Sequence, residues 1–583
     1  MCDDPLAAGR RAAPRWFFAA VMAAVLAAAL SAAGTAAAQA QVQVPPPPPA
    51  GERESLEALR QTTLALIELL VENGTLSREK ADGLLAEARR RAAAAPVAGP
   101  AIAAATAAVA EPPVVRVPYV PQVVRDQIRN EVREEVIARA RQERWGVPNA
   151  TAEWTDRIAI EGDLRVRAQG DRPAADNPSP QGYLTASLSG VTRAADFSAG
   201  TAAGLPTGST QDDRDRLRLR ARLAFNVRVA DPVTVGLRLA TGSSSDRVST
   251  NQTLGQNFNK YTLLVDRAFV KIDAAEWLSV SAGRIANPWF STDLVWSDNL
   301  NFEGLAASFK WPLRVNATWQ PFATVGYFPV REDAPPRRSR SLVGAQAGVQ
   351  WEASELTRLR VGLAGYHFTG FEGRVDGDYD AVSGAGRSYG QYEYEAGLRQ
   401  RGNTLFLTNN PLEIQAGLTP DKARWGLAAR FRPLALTAAA EFSHFAPMVV
   451  GLSAEVVRNM AYERQEIIDR TGVYLDDGRV FGAQARATIG AQQLRNAGEW
   501  QFSLAYRWLG SDAVPDAFVD SDLGLGGTNL RGLTVGLAWG LARDTSLSAR
   551  YLSARSISSP TVQPRSRDRY SIDSLQVDLN VRF

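Results

Sequence analysis

Arg216-Leu-Arg-Leu-Arg-Ala-Arg-Leu-Ala-Phe-Asn-Val-Arg-Val229 alternates with period two for its whole length. Leu217, Leu219, Ala221, Leu223, Phe225, Val227 and Val229 fall on one face. Arg216, Arg218, Arg220, Arg222, Ala224, Asn226 and Arg228 fall on the other. Side chains of a β-strand point to opposite faces in turn, so this is a strand with one oily and one cationic face. Ala230-Asp231-Pro232 then makes a tight turn, and Val233–Thr241 resumes the alternation.

The same pattern extends in both directions. Further alternating segments are Ile158–Arg167, Thr262–Ile272, Leu278–Ile285, Phe302–Trp311, Val315–Tyr327, Val343–Trp351, Arg358–His367 and Trp425–Phe431. Leu434–Phe442, Val480–Ile489, Trp500–Trp508, Leu533–Trp539, Thr545–Tyr551 and Ser571–Phe583 complete a set of 16 strands, and a hairpin from Tyr389–Arg399 and Thr404–Leu418 would raise it to 18. Short links such as 230–232, 273–276 and 542–544 alternate with long polar ones such as 168–213, 368–424, 443–479 and 509–531. Turns on one rim and loops on the other predict an all-β fold, an antiparallel transmembrane β-barrel.

Which face meets lipid follows from cost. An arginine turned to hydrocarbon at the bilayer midplane costs about 2–4 kcal/mol, so the arginine faces belong to a wet lumen and the leucine faces to lipid. Apolar faces that end in Trp311, Trp351, Trp500, Trp508, Trp539, Tyr327, Tyr506 and Tyr551 supply the aromatic girdles such a barrel needs. Expected pore-lining residues are Arg165, Arg167, Arg216, Arg218, Arg220, Arg222 and Arg228. Fixed guanidiniums along a channel favour anions, while the competing reading pairs them with carboxylates such as Glu161, Asp163 or Asp266. In the last strand Leu575, Val577, Leu579, Val581 and Phe583 share one side, which resembles the signal read by the outer-membrane insertion machinery.

The start of the chain reads differently. Arg10, Arg11 and Arg15 precede the uncharged run Trp16–Leu30, with Ala36-Ala37-Ala38 after it. This is the layout of a signal peptide over 1–38, an uncleaved anchor being the alternative. A helical hairpin flanked by Pro- and Ala-rich linkers is expected over 39–113, and a charged helix over 114–153. In that helix Val124, Ile128, Val132 and Val136 make one narrow stripe suited to self-association. Residues 154–583 are the expected barrel.

Composition narrows the function. The 583 residues carry 65 Lys+Arg against 62 Asp+Glu, a net charge of +3, so bulk charge gives no reason to expect nucleic acid as a partner. The sole cysteine, Cys2, lies in the leader, and the only histidines are His367 and His444, both expected at the rims. No serine elbow, nucleotide loop or metal-binding spacing is present; Asp376-Gly-Asp-Tyr-Asp380 lacks the sixth-position glycine of a calcium loop. No enzyme and no cofactor is expected.

Val117-Pro-Tyr-Val-Pro121, Trp145-Gly-Val-Pro-Asn149, Trp154, Ile160-Glu-Gly-Asp-Leu-Arg-Val-Arg167, Arg401-Gly-Asn-Thr-Leu-Phe406 and the Arg214–Arg222 run together resemble the "putative porin" family of Gram-negative outer membranes. That resemblance implies a passive diffusion channel for small hydrophilic solutes behind a periplasmic helical segment, trimeric in the manner of other porins. The competing reading is a structural or adhesion protein that binds a partner or the cell wall through its N-terminal helices or long loops.

Overall fold

The computed structural model describes residues 157–179, 191–192, 210–311, 318–333, 338–375, 391–408, 424–472, 479–559 and 569–583. The leader, the hairpin, the charged helix with Val124, Ile128, Val132 and Val136, and the stretch Asp376–Asp380 lie outside the described residues.

The wall is a closed antiparallel barrel of 16 strands. They are β1 (Ile158–Pro173), β2 (Arg214–Ala230), β3 (Val233–Ala240), β4 (Leu264–Ala275), β5 (Leu278–Ala286), β6 (Asn301–Lys310), β7 (Trp319–Arg331) and β8 (Arg340–Ser354). β9 (Thr357–Thr369), β10 (Pro433–Phe445), β11 (Met448–Asn459), β12 (Phe481–Gly490), β13 (Trp500–Leu509), β14 (Leu530–Ala542), β15 (Thr545–Ser556) and β16 (Ser571–Arg582) follow. Each pairs with the next, and β16 returns to β1 with Val581 opposite Leu164 and Asp578 opposite Arg167. Closure removes the unpaired edge that a bilayer would not tolerate.

The count agrees with the sequence reading, but two memberships differ. Trp425–Phe431 is not a wall strand. Only Trp425–Leu427 is extended, and it pairs with Leu405–Leu407, which pairs in turn with Val191–Thr192 in a separate three-stranded sheet. Trp425 and Leu427 are buried, whereas a wall strand needs one face free for lipid. Of the hairpin expected from Tyr389–Arg399 and Thr404–Leu418, Leu405–Leu407 lies in this sheet and 391–399 form no strand, while 389–390 and 409–418 lie outside the described residues. Conversely β11, read as loop, is wall, joined to β10 by a turn at Ala446-Pro447. Its alternation is blurred because its inward face carries Val457, which packs in an apolar core rather than facing water.

Burial is inverted relative to a water-soluble protein. Leu217, Leu305, Leu363, Leu537 and Tyr327 project outward and exposed. Arg167, Asp171, Gln346, Glu455 and Arg507 point inward and are buried. Trp311, Trp319 and Trp539 ring the short-turn rim, where Trp319 stacks on Trp351 with centroids 4.7 Å apart; Tyr327 and Tyr506 lie toward the long-loop rim. These are the two girdles expected at membrane–water boundaries.

Candidate functional site

The register of β1 against β2 sets Asp163 opposite Arg222, Arg165 opposite Arg220, Arg167 opposite Arg218 and Gln169 opposite Arg216. All of these point inward, so one side of the lumen is a wall of guanidiniums. Of the expected pore-lining residues, Arg165, Arg167, Arg216, Arg218, Arg220 and Arg222 stand together here. Arg228 differs, lying exposed at the short-turn end of β2 beyond the cluster.

Much of the wall is paired. Asp163 accepts from Arg222 Nε at 2.6 Å and forms an ion pair with Arg220 Nη2 at 2.7 Å. Asp171 holds Arg216. Arg167 forks onto both oxygens of Asp578 at 2.7 and 2.8 Å, and its Nη1 reaches Asp522 at 3.1 Å. On the neighbouring strands Asp266 takes Arg238 at 2.5 Å, and Arg267 donates to Asn301 at 2.7 Å. Such charge-assisted pairs fix the side chains against the wall.

Two arginines are left over. Arg218 finds only Gln169 Oε1, at 3.3 Å, and no carboxylate within ion-pair distance among the described residues. Arg165 donates to Asn251 and otherwise sees Asp578 at 3.8 Å, a carboxylate that Arg167 already occupies.

Two long loops turn inward and shape what the wall faces. The first, 287–300, leaves β5 and attaches successively to β8, β11, β12 and β13. Phe290 N–H donates to Gln346 Oε1 at 2.8 Å, and Thr292 Oγ1 donates to Glu455 at 2.6 Å. Asp293 receives Gln484 at 2.6 Å, Arg486 at 2.9 Å and Arg507 at 2.8 Å. Burial acts to raise the Asp293 pKa, but Arg507 and Arg486 hold its carboxyl down at about 2. Beneath the loop, Arg360 lies between the rings of Phe290 and Phe322, 4.2 and 4.4 Å from their centroids. Trp296 packs edge-on against Phe302 and Tyr366, both centroids 5.0 Å away, within an apolar core that fills this half of the barrel.

The second inward loop, 510–529, carries Asp520 and Asp522 to the arginine wall. Asp522 bonds Arg550 at 2.5 Å as well as Arg167, and Arg507 reaches Asp520 at 3.6 Å. Burial and the Asp522 charge push the Asp520 carboxyl up to about 6, while the surrounding guanidiniums hold Asp522 far below the usual carboxylate range despite its burial. A third segment clamps this loop from outside. Asp516 accepts from the Tyr394 hydroxyl at 2.7 Å and the Gln400 N–H at 3.1 Å, Asn403 donates to Ser511 and Val514 carbonyls, and Thr404 caps Asp512.

The inward arginines of β1–β4 face the half of the lumen that this apolar core does not fill. Arg220, Arg222, Arg238 and Arg267 line a cavity of about 550 Å³ there, with Arg495 and Arg582. Among the described residues no cluster of ligands suits a metal ion, and the two histidines lie apart on the wall: His367 near the long-loop rim, against Arg432, and His444 next to the short turn between β10 and β11.

Leu575, Val577, Leu579, Val581 and Phe583 share the outward face of the closing seam. Phe583 exchanges backbone hydrogen bonds with Gly162, 2.9 and 3.0 Å, and lays its ring over that glycine. Gly162, in the Ile160–Arg167 motif, is thus a socket for the last residue.

Sequence reading missed Asp293, Asp520 and Asp522 as site residues, and took the stretch holding Asp520 and Asp522 for a solvated loop. Both of those aspartates lie half-buried against the wall instead, because the loop folds into the lumen. Nothing within ten residues of either announces that direction.

No curated protein matches this sequence. Among solved structures the chain is similar to the outer membrane channel DcaP of Acinetobacter baumannii, at 10% identity and a TM-score of 0.36 over 73% of this chain and 97% of that one. It is also similar to Pseudomonas putida OprB at high pH, at 10% identity and TM-score 0.40 over 75% and 96%. A third likeness is to the anion-selective porin from Comamonas acidovorans, at 11% and 0.37 over 73% and 99%. The family described as "Putative porin" matches residues 60–583, nearly the whole chain. With a closed 16-strand barrel, lipid-facing leucines and an arginine-walled lumen, the chain belongs to that family and is an outer-membrane channel.

Proposed function

We propose that the channel passes small hydrophilic solutes and ions by passive diffusion and prefers anions. The observation that carries this reading is the charge left over at the wall. Arg165, Arg167, Arg216, Arg218, Arg220 and Arg222 face Asp163, Asp171, Asp522 and Asp578, and Arg218 has no carboxylate of its own. Low-dielectric walls focus that excess into the aqueous path and raise the local anion concentration.

We further propose a signal peptide over 1–38, periplasmic helices over 39–153 with Val124, Ile128, Val132 and Val136 as a self-association stripe, and recognition of β16 by the insertion machinery. A homotrimer is supported by the outer surface. The strands β1 to β3 present no tryptophan or tyrosine outward, although β7 and β13 to β15 do. A face that met both membrane–water boundaries would be expected to carry such residues; one covered by another copy would not.

Conductance of the purified full chain in planar bilayers tests the reading. Steady ohmic currents, with a reversal potential of anionic sign across a salt gradient, are expected. A bilayer that stays closed would remove the channel, and a cationic sign would remove the preference alone.

A further inference from the structure

The outward surface of β13 to β16 forms a lattice whose rows the register fixes. Phe502, Leu537, Ala549 and Val577 make one row, and Leu504, Val535, Tyr551 and Leu575 the row above it. Toward the long-loop rim come Tyr506 and Leu533, and then Trp508, Arg531 and Arg555. The lattice is thus apolar up to a boundary row in which Tyr506 and Leu533 continue into Ser553 and Asp573, and turns cationic beyond it. That boundary is where a bilayer's hydrocarbon gives way to headgroups.

Arg531 and Arg555 are direct cross-strand partners, two like charges facing each other on one surface. Such a pair destabilises a sheet unless something else neutralises it. Neither guanidinium has a hydrogen-bond or ion-pair partner among the described residues, unlike the nearby Arg172, which Asp215 holds at 2.6 Å and Asp213 at 3.5 Å. The one carboxylate in the row below, Asp573, stands between Ser553 and Arg172 in the register and forms no ion pair with Arg531 or Arg555. The two free arginines line an external groove of about 450 Å³ whose floor includes Leu533 and Ile572.

We propose that this groove binds the phosphorylated headgroup of an outer-leaflet lipid, with one phosphate bridging Arg531 and Arg555 and the acyl chains lying along Leu533, Val535 and Leu537. A phosphate monoester brings close to two negative charges and three acceptor oxygens, enough to satisfy both guanidinium forks. The apolar rows beneath give the ligand's chains a surface that a free anion in solution would leave unused. Trp508, Tyr506 and Tyr551 mark this arc as facing lipid rather than another copy. The site needs only the outer-membrane location and is independent of conduction.

The test uses the full chain in dodecyl maltoside, offered bisphosphorylated lipid A, its dephosphorylated form, or inorganic phosphate, and read by native mass spectrometry. Bisphosphorylated lipid A is expected to stay bound to the wild type. Retention in Arg531→Gln with Arg555→Gln should fall about fivefold per guanidinium, hence about 25-fold, from the contribution of each basic group at a membrane surface. The dephosphorylated form should bind both proteins equally weakly, and single-channel conductance should be unaltered. Equal retention by the double variant overturns the proposal. So does inorganic phosphate that binds as tightly as the lipid, which would make this a small-anion site. A changed subunit number in the double variant would overturn it as well, assigning the groove to a contact between copies.

Discussion

Replacing Arg165 and Arg218 together by glutamine removes the two wall charges that no private carboxylate balances. At roughly 6 Å through water a unit charge is worth ~0.7 kcal/mol to a passing ion. Screening at ~0.1 M salt cuts this to ~0.4 kcal/mol. Both charges act on anion and cation with opposite sign, so the permeability ratio should change by about 1.5 kcal/mol, roughly tenfold. Reversal potentials in a salt gradient read this directly, and the double variant should move from an anionic value toward zero. The matched control is Arg216→Gln with Asp171→Asn, which deletes an ion pair and leaves net charge as it was. If the control shifts the potential as far as Arg165→Gln with Arg218→Gln, or if the latter shifts nothing, the unbalanced-charge argument is refuted. Raising the salt should shrink the wild-type preference, since the Debye length falls to about 3 Å at 1 M.

Asp522→Ala frees Arg550 from its carboxylate and Arg167 from one of two, so loop 510–529 should loosen from the wall; larger and noisier single-channel currents are expected, and unchanged currents count against the loop as a constriction. Gly162→Val places a Cβ where the Phe583 ring now lies, 2.3 Å from its Cζ, and deleting Phe583 empties the same socket; both should lower the yield of heat-modifiable folded barrel far more than they alter ion selectivity. Burial, against the pull of Tyr394 and Gln400, pushes the Asp516 carboxyl up to about 7 from an ordinary value near 3.9. Because the raised value favours the protonated carboxyl in the folded clamp, that contribution is full below about pH 4 and is lost as pH rises toward 7; loop 510–529 should resist protease better at pH 5 than at pH 8, and the reverse order would contradict the assignment. Ile128→Asp with Val132→Asp should lower the oligomer mass if the helix stripe joins subunits.

Most of the wall was legible because a lipid-facing strand is forced to alternate. β2 shows this in its purest form: from Leu217 to Val229 every outward position is apolar, and most inward positions are arginine, since water lies on that side. Where the inward face is dry, the signal fades. β11 presents Val457 to an apolar core and so lost its period, while Trp425–Leu427, buried throughout, mimicked a wall strand. The arginine wall was likewise readable, since a strand's parity alone sends Arg165, Arg167 and Arg216–Arg222 to the same side.

What faces that wall was not readable. Asp163 and Asp266 were candidate partners by sequence and are partners in the structure, since strand register brings them within reach. Asp522 reaches Arg167 from 355 positions away, and Asp293 reaches Arg507 from 214, through loops whose direction strand parity does not set; in 287–300 only Trp289, Phe290, Leu294, Val295 and Trp296 hint at an inward course. A period of two is a local consequence of backbone geometry meeting oil on one side and water on the other, so the chain's own letters determined the barrel, its girdles and its cationic lining. The path of a loop is set by the summed packing of distant side chains, here Trp296 among Phe302, Tyr366 and Phe518. Only the folded tertiary structure could decide which half of the lumen is filled and which two arginines are left unmatched.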